Sequence, residues 1–414
     1  MEKRKGNCIF AQSGGPTAVI NAGIAGGVLT ALSREEIGKV YCAEHGVRGV
    51  LDERFFDMGE EDEAELLALR NTPASAMGSV RYKLKPYEED ETDYKRILEV
   101  FRKYDVRYFF YNGGNDSMDT CMKISSYMKK TGYPVSVIGI PKTIDNDLVG
   151  TDHCPGFGSA AKYIATSVAE ISLDARIYQS PLVVIVEIMG RNAGWLTASA
   201  SLASVNGNGP DLVYLPEVPF TAEKFLSDVA RVMQRKEGKC VVAVSEGIRY
   251  PDGRYVGEDK SGTDVFGHSA LGGVCGKLKA TVVEKLGVKC KAIELNILQR
   301  CAAHCASETD VEETFEAGRQ AVERAIGGET DVMIGYARKT STPYEISFIS
   351  TPLPEAANAE KKIPSEWIGA DGTSLRKEFF DYALPLIQGD PDVRKSDGLP
   401  LYARLKKVLA KPVV

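Results

Sequence analysis

A chain of 414 residues, 43% hydrophobic and 26% charged, has globular composition and enough length to bury two ordinary cores, so two domains are expected. Its 51 basic and 57 acidic residues leave a formal charge of −6, which argues against a nucleic-acid partner and requires any basic site to be assembled locally. Met1-Glu2-Lys3-Arg4-Lys5-Gly6 runs into a short apolar strand without a signal-peptide core, and no run approaches membrane-spanning length. The nine cysteines include no CxxC pair, and the cluster Cys301, His304 and Cys305 lacks a second cluster to complete a zinc site. The chain therefore reads as a cytoplasmic protein with reduced thiols and no membrane partner.

The first predicted strand, Cys8 to Ala11, ends in Gln12-Ser13-Gly14-Gly15-Pro16-Thr17 and opens a helix. Backbone N–H groups at such a turn can cradle a phosphate, although the glycines can equally serve the bend alone. A helix is expected at Thr92 to Tyr104 and a strand at Tyr108 to Tyr111. That strand runs into Gly113-Gly114-Asn115-Asp116-Ser117 and a helix with Met118, Cys121 and Ile124 on one face, where Asp116 or Ser117 can also be a plain N-cap. The strand Val135 to Ile140 leads into Pro141-Lys142-Thr143-Ile144-Asp145-Asn146-Asp147, a set of polar groups costly to place at a strand end without a ligand. Lys142 can pair a phosphate, Asp145 can accept a proton and Asp147 can hold a metal or its waters; a solvated turn is the alternative.

Further along, helices are expected at Ala160 to Ile171, Thr221 to Lys236 and Val311 to Ile326. Strands are expected at Leu182 to Ile188, Asp211 to Leu215, Cys240 to Ser245 and Asp331 to Tyr336, with a surface loop at Arg249 to Thr263. Continuous apolar strands separated by helices indicate parallel α/β sheets covered on both faces, which bind ligands at the carboxyl ends of their strands.

From about residue 7 to 340 the chain resembles the phosphofructokinase family, and its pyrophosphate-dependent branch in particular. The likeness rests on motifs in order: Gly14-Gly15, Gly78-Ser79-Val80-Arg81, Gly113 to Ser117, Pro141 to Asp147, Met189-Gly190-Arg191-Asn192-Ala193-Gly194, Ser245-Glu246-Gly247 and Gln299-Arg300. The resemblance implies two Rossmann-like three-layer αβα domains with mainly parallel sheets and an active site in the cleft between them. Residues 1–160 and about 300–355 would form the donor domain, and 161–299 with about 356–414 the sugar-phosphate domain. It also implies a magnesium-dependent homodimer or homotetramer acting on fructose 6-phosphate.

By the same resemblance, Gly14 and Arg81 hold the donor, while Thr143, Ile144 and Asp145 bind the sugar phosphate with Asp145 as the base. Met189, Gly190 and Arg191 form a second substrate segment, and Glu246 accepts hydrogen bonds from the sugar. Arg300 suits the 6-phosphate, and Lys291 stands for an arginine that a neighbouring subunit lends. Two further departures stand out: Asn115 occupies the position of the family's usual aspartate ligand to magnesium, leaving the metal to be held less tightly or through waters on Asp116, Asp147 and the donor phosphates, and Ile297 replaces a His or Tyr three residues before Arg300. ATP-using relatives carry glycine at the positions of Asp116 and Lys142. A carboxylate there repels the α-phosphate of a nucleotide, and the lysine adds charge for pyrophosphate. An ATP-dependent 6-phosphofructokinase is the alternative within the class, and a non-catalytic sugar-phosphate-binding regulatory subunit the alternative outside it.

Overall fold

The computed structural model describes residues 5–263, 269–357 and 359–412. In chain order the strands are β1 (Gly6–Gln12), β2 (Ile37–Ala43), β3 (Phe55–Asp57), β4 (Val106–Gly113) and β5 (Ser136–Pro141). There follow β6 (Leu182–Ile188), β7 (Leu212–Tyr214), β8 (Lys239–Ser245), β9 (Glu258–Thr263), β10 (Ser269–Leu271) and β11 (Lys289–Glu294). The chain then returns with β12 (Val332–Ser341) and β13 (Tyr344–Pro352). A seven-stranded sheet has the order β13-β12-β5-β4-β1-β2-β3, and a four-stranded sheet the order β11-β6-β8-β7. The small sheet is wholly parallel; in the large one only β2–β3 and β12–β13 run antiparallel. The fold is α/β with mainly parallel sheets. No described helix is long and apolar enough to cross a membrane.

The apolar runs are continuous because each strand feeds two cores. Ile9 and Ala11 of β1 join one core while Cys8 and Phe10 join another, where Phe10 stacks on Phe110 at 4.6 Å. Leu182, Val184, Val186 and Ile188 of β6 face one side of the small sheet, and Val183 and Ile185 the other. Such two-sided burial is what a helix-covered parallel sheet requires. The helix Ile20–Leu32 lies so close to the helix Glu308–Ile326 that a side chain at Gly26 would collide with the Phe315 carbonyl.

Two sequence expectations change. Glu258–Thr263, read as loop, is a strand paired with Ser269–Leu271. The end of the chain, assigned with the sugar-phosphate half, divides. Ile363, Phe379, Tyr382 and Leu386 pack in the core beneath the small sheet, but Ala403, Leu405 and Ala410 pack against the large-sheet cores. Backbone bonds fix this return, from Asp57 N–H to the Val408 carbonyl and from Ala410 N–H to the Phe55 carbonyl, at 2.9 and 2.8 Å.

Candidate active site

Parallel pairing brings the carboxyl ends of the strands together: Gln12 lies beside Asn112, Gly113 beside Pro141, and Ile188 beside Ser245. The segments that leave these ends enclose a cleft of about 700 Å³. Gly14, Arg81, Asn115, Asp116, Lys142, Thr143 and Asp145 line it, with Asp147, Met189, Arg191 and Glu246. Most of the residues singled out in the sequence, drawn from segments far apart along the chain, thus meet in one place. Its size is that of a small-molecule site.

On the large-sheet side, Gly14 adopts φ 77°, a conformation favouring glycine, and the Ser79 hydroxyl donates to its carbonyl at 2.6 Å, fastening the Arg81 segment to the turn. The Lys142 ammonium crosses to this turn and donates to the Gly15 carbonyl at 2.7 Å. Burial pulls Lys142 down to about 8 against the opposing pull of Asp145 and Asp147. Asp116 lies in the first turn of the helix Asn115–Lys130, where the dipole favours a carboxylate. Gly114 is the N-cap, so the simple capping reading of Asp116 or Ser117 falls away.

Burial raises Asp145, with the Lys142 charge opposing, while burial and the Asp145 charge push Asp147 up to about 7. Asp145 N–H donates to the Thr143 hydroxyl at 3.1 Å. The Asn115 amide can place its nitrogen 3.4 Å from Asp147 Oδ2. Turned about, that nitrogen donates to the Ala356 and Ala359 carbonyls at 3.1 and 3.2 Å, and its oxygen faces Asp147 instead. Two oxygens then converge beside surplus negative charge, a donor set suited to a hard divalent cation.

On the small-sheet side, Gly190 N–H donates to Glu246 Oε1 at 3.2 Å, the Ser245 hydroxyl donates to the Gly190 carbonyl at 2.6 Å, and Met189 N–H donates to Gln299 at 3.3 Å. These bonds hold the Met189-Gly190-Arg191 turn against the end of β8. Burial pushes Glu246 up to about 7. Asn192 and Glu360, not assigned a role from the sequence, also line the cleft, joined by a 2.8 Å bond from the Asn192 amide. Asn192 stood inside a recognised motif; Glu360 lies in the C-terminal stretch, where no motif flags it.

Four expected residues lie off the lining, Gly190 among them, its N–H turned to Glu246. The Ile144 side chain is buried in the small-sheet core, so only its main chain can face a ligand. Arg300 is near rather than on the lining, its guanidinium 3.1 Å from where a Gly15 side chain would begin. Lys291 lies on β11, with its ammonium 3.6 Å from Asp174 and over the Tyr178 ring, away from this chain's cleft lining.

Fold and site together define an α/β protein with two parallel-sheet units and a cleft lined by both cations and carboxylates. The phosphofructokinase family model matches residues 7–324. A pyrophosphate–fructose 6-phosphate 1-phosphotransferase of Methylococcus capsulatus is 47% identical over 406 residues, covering 97% of this chain and 96% of that protein. One of the same name from Xanthomonas campestris is 47% identical over 410 residues, covering 97% of each. The crystal structure of a pyrophosphate-dependent phosphofructokinase from Nitrosospira multiformis superposes with TM-score 0.89 at 41% identity, covering 98% of each chain. The chain belongs to the phosphofructokinase family.

Proposed function

We propose that this protein is a cytoplasmic, magnesium-dependent enzyme that transfers a phosphoryl group from pyrophosphate to the 1-hydroxyl of fructose 6-phosphate, giving fructose 1,6-bisphosphate and phosphate. The observation that carries the reading is Asp116 and Lys142 on one cleft with Asp145, opposite Arg191 and Glu246. The donor lies against the Gly14-Gly15 turn, Arg81 and Lys142. Arg191, Glu246 and the nearby Arg300 hold the sugar phosphate. Asp145 removes the 1-hydroxyl proton as that oxygen bonds to phosphorus; the bridging P–O bond breaks and phosphate leaves against the positive charge of Lys142 and Arg81. In reverse, Asp145 returns the proton.

Asn115 and Asp147 would hold magnesium, which supplies charge neutralisation at the phosphates. Asn115→Asp is expected to lower the magnesium concentration for half-maximal rate severalfold, because a hard cation prefers a carboxylate to an amide. An unchanged titration would place the metal on other groups. Lys291, away from its own cleft, suits a role at the site of a second copy in a homodimer or homotetramer.

Steady-state turnover with pyrophosphate and with ATP tests the reading. Pyrophosphate should support the rate with fructose 6-phosphate; a faster rate with ATP would reassign the donor, and none with either would leave a binding protein.

A further inference from the structure

Behind the cleft lies a set of contacts that the chemistry above does not use. Asn146, between Asp145 and Asp147, has φ 55°, a left-handed conformation uncommon outside glycine, and its side chain is fully buried. Both ends of its amide are bonded: the nitrogen donates to the Tyr382 hydroxyl at 2.8 Å, and the oxygen accepts from Cys154 N–H at 2.9 Å. The Tyr382 hydroxyl donates in turn to the Asp152 carbonyl at 2.8 Å. One hydroxyl therefore joins Asn146, between the two carboxylates, to Asp152 further along the same loop.

Tyr382 comes from far along the chain, on the helix Lys377–Ala383. Its ring is fixed among Trp195 and Trp367, with centroids 5.3 and 5.4 Å away, and beneath the Arg338 guanidinium at 4.8 Å. Lys361 reinforces the arrangement: its N–H donates to the Asp147 carbonyl at 2.7 Å, its ammonium to the Asp152 carbonyl at 2.6 Å, and its carbonyl accepts from the Trp195 indole at 2.9 Å. Trp195 follows directly on the Met189 to Gly194 motif of the sugar-phosphate side.

We infer that Tyr382 is a positioning residue which, acting through Asn146, fixes the left-handed turn that sets Asp145 and Asp147 in the cleft and ties it to the sugar-phosphate side, a role that rests on Asp145 being the base. Small displacements of a base from its proton are costly in rate because proton transfer needs hydrogen-bond reach. Fructose 6-phosphate affinity, carried mainly by Arg191, Glu246 and the nearby Arg300, depends on it far less.

Tyr382→Phe keeps the ring and removes the hydroxyl; Asn146→Gly keeps the backbone conformation accessible and removes the amide. Each is expected to lower kcat roughly tenfold or more with fructose 6-phosphate KM within about twofold of wild type, and the double variant to lose clearly less than the product of the two singles, since both break the shared Asn146–Tyr382 bond. Hydrogen exchange in peptides spanning residues 143–156 should quicken in each. A kcat for Tyr382→Phe within about twofold of wild type, or effects that multiply in the double variant, would overturn the inference. Should wild-type protein lack pyrophosphate-dependent turnover, the functional reading fails by itself. Unchanged exchange across 143–156 in Tyr382→Phe would sink the clamp independently.

Discussion

Asp145→Ser is expected to lower kcat by roughly two to four orders of magnitude while leaving the fructose 6-phosphate KM near wild type. The carboxylate lies in the cleft beside Thr143, and the cations that would hold the sugar phosphate belong to other segments. Loss of the base therefore removes a transition-state interaction more than a binding one. The pH profile of kcat/KM supplies a second check. The base must be unprotonated, and burial raises Asp145, so the rate should rise with pH through its titration. Lys142 must be charged and is pulled down to about 8, so the rate should fall again above that pH. In Asp145→Ser the acid limb should be lost. A variant as fast as wild type would remove Asp145 from the mechanism.

Lys142→Gly is expected to depress the pyrophosphate reaction about a hundredfold, the order of 3 kcal/mol that one oriented charge contributes in a dry phosphoryl-transfer site. The effect should be large because Lys142 is 4% exposed and its ammonium is held at the donor turn by the Gly15 carbonyl. Asp116→Gly should behave differently. It relieves repulsion and clash at the position of a nucleotide α-phosphate, so ATP should become a detectable, poor donor. ATP use remaining at zero in Asp116→Gly, with the pyrophosphate rate intact, would show that Asp116 does not select the donor. A Lys142→Gly enzyme with full pyrophosphate turnover would do the same for Lys142.

The sequence was most legible where local chemistry and burial agree. Leu182 to Ile188 reads as a strand because all its residues are apolar or buried on two faces, and it is one from end to end. Thr221 starts its helix as read, accepting from Lys224 N–H at 3.3 Å. The glycine turns and the Lys142 to Asp147 segment were readable because such groups at strand ends call for a ligand. Glu360 was not, because it enters the cleft through long-range contacts that leave no local pattern. Ile144 misled in the opposite sense: it sits inside a ligand motif, yet its side chain serves the core. The tail also escaped notice, since its packing on β3 depends on backbone bonds at Val408 and Ala410 that any residue but proline at the donor position could make.

The return of β12 and β13 to the large sheet bears on how the chain folds as it is made. All strands of the small sheet lie between residues 182 and 294, so that sheet can close while the remainder is still being synthesised. The large sheet cannot, because the free edge of β5 waits for Val332 and Met333 to pair with Ile138 and Gly139. Until then β5 presents unpaired backbone groups, a template for unwanted association, and the closing contact spans nearly half of the chain. The N-terminal half of the polypeptide is thus completed last, and the nascent protein is most exposed to aggregation and most dependent on chaperones over the interval between its two halves.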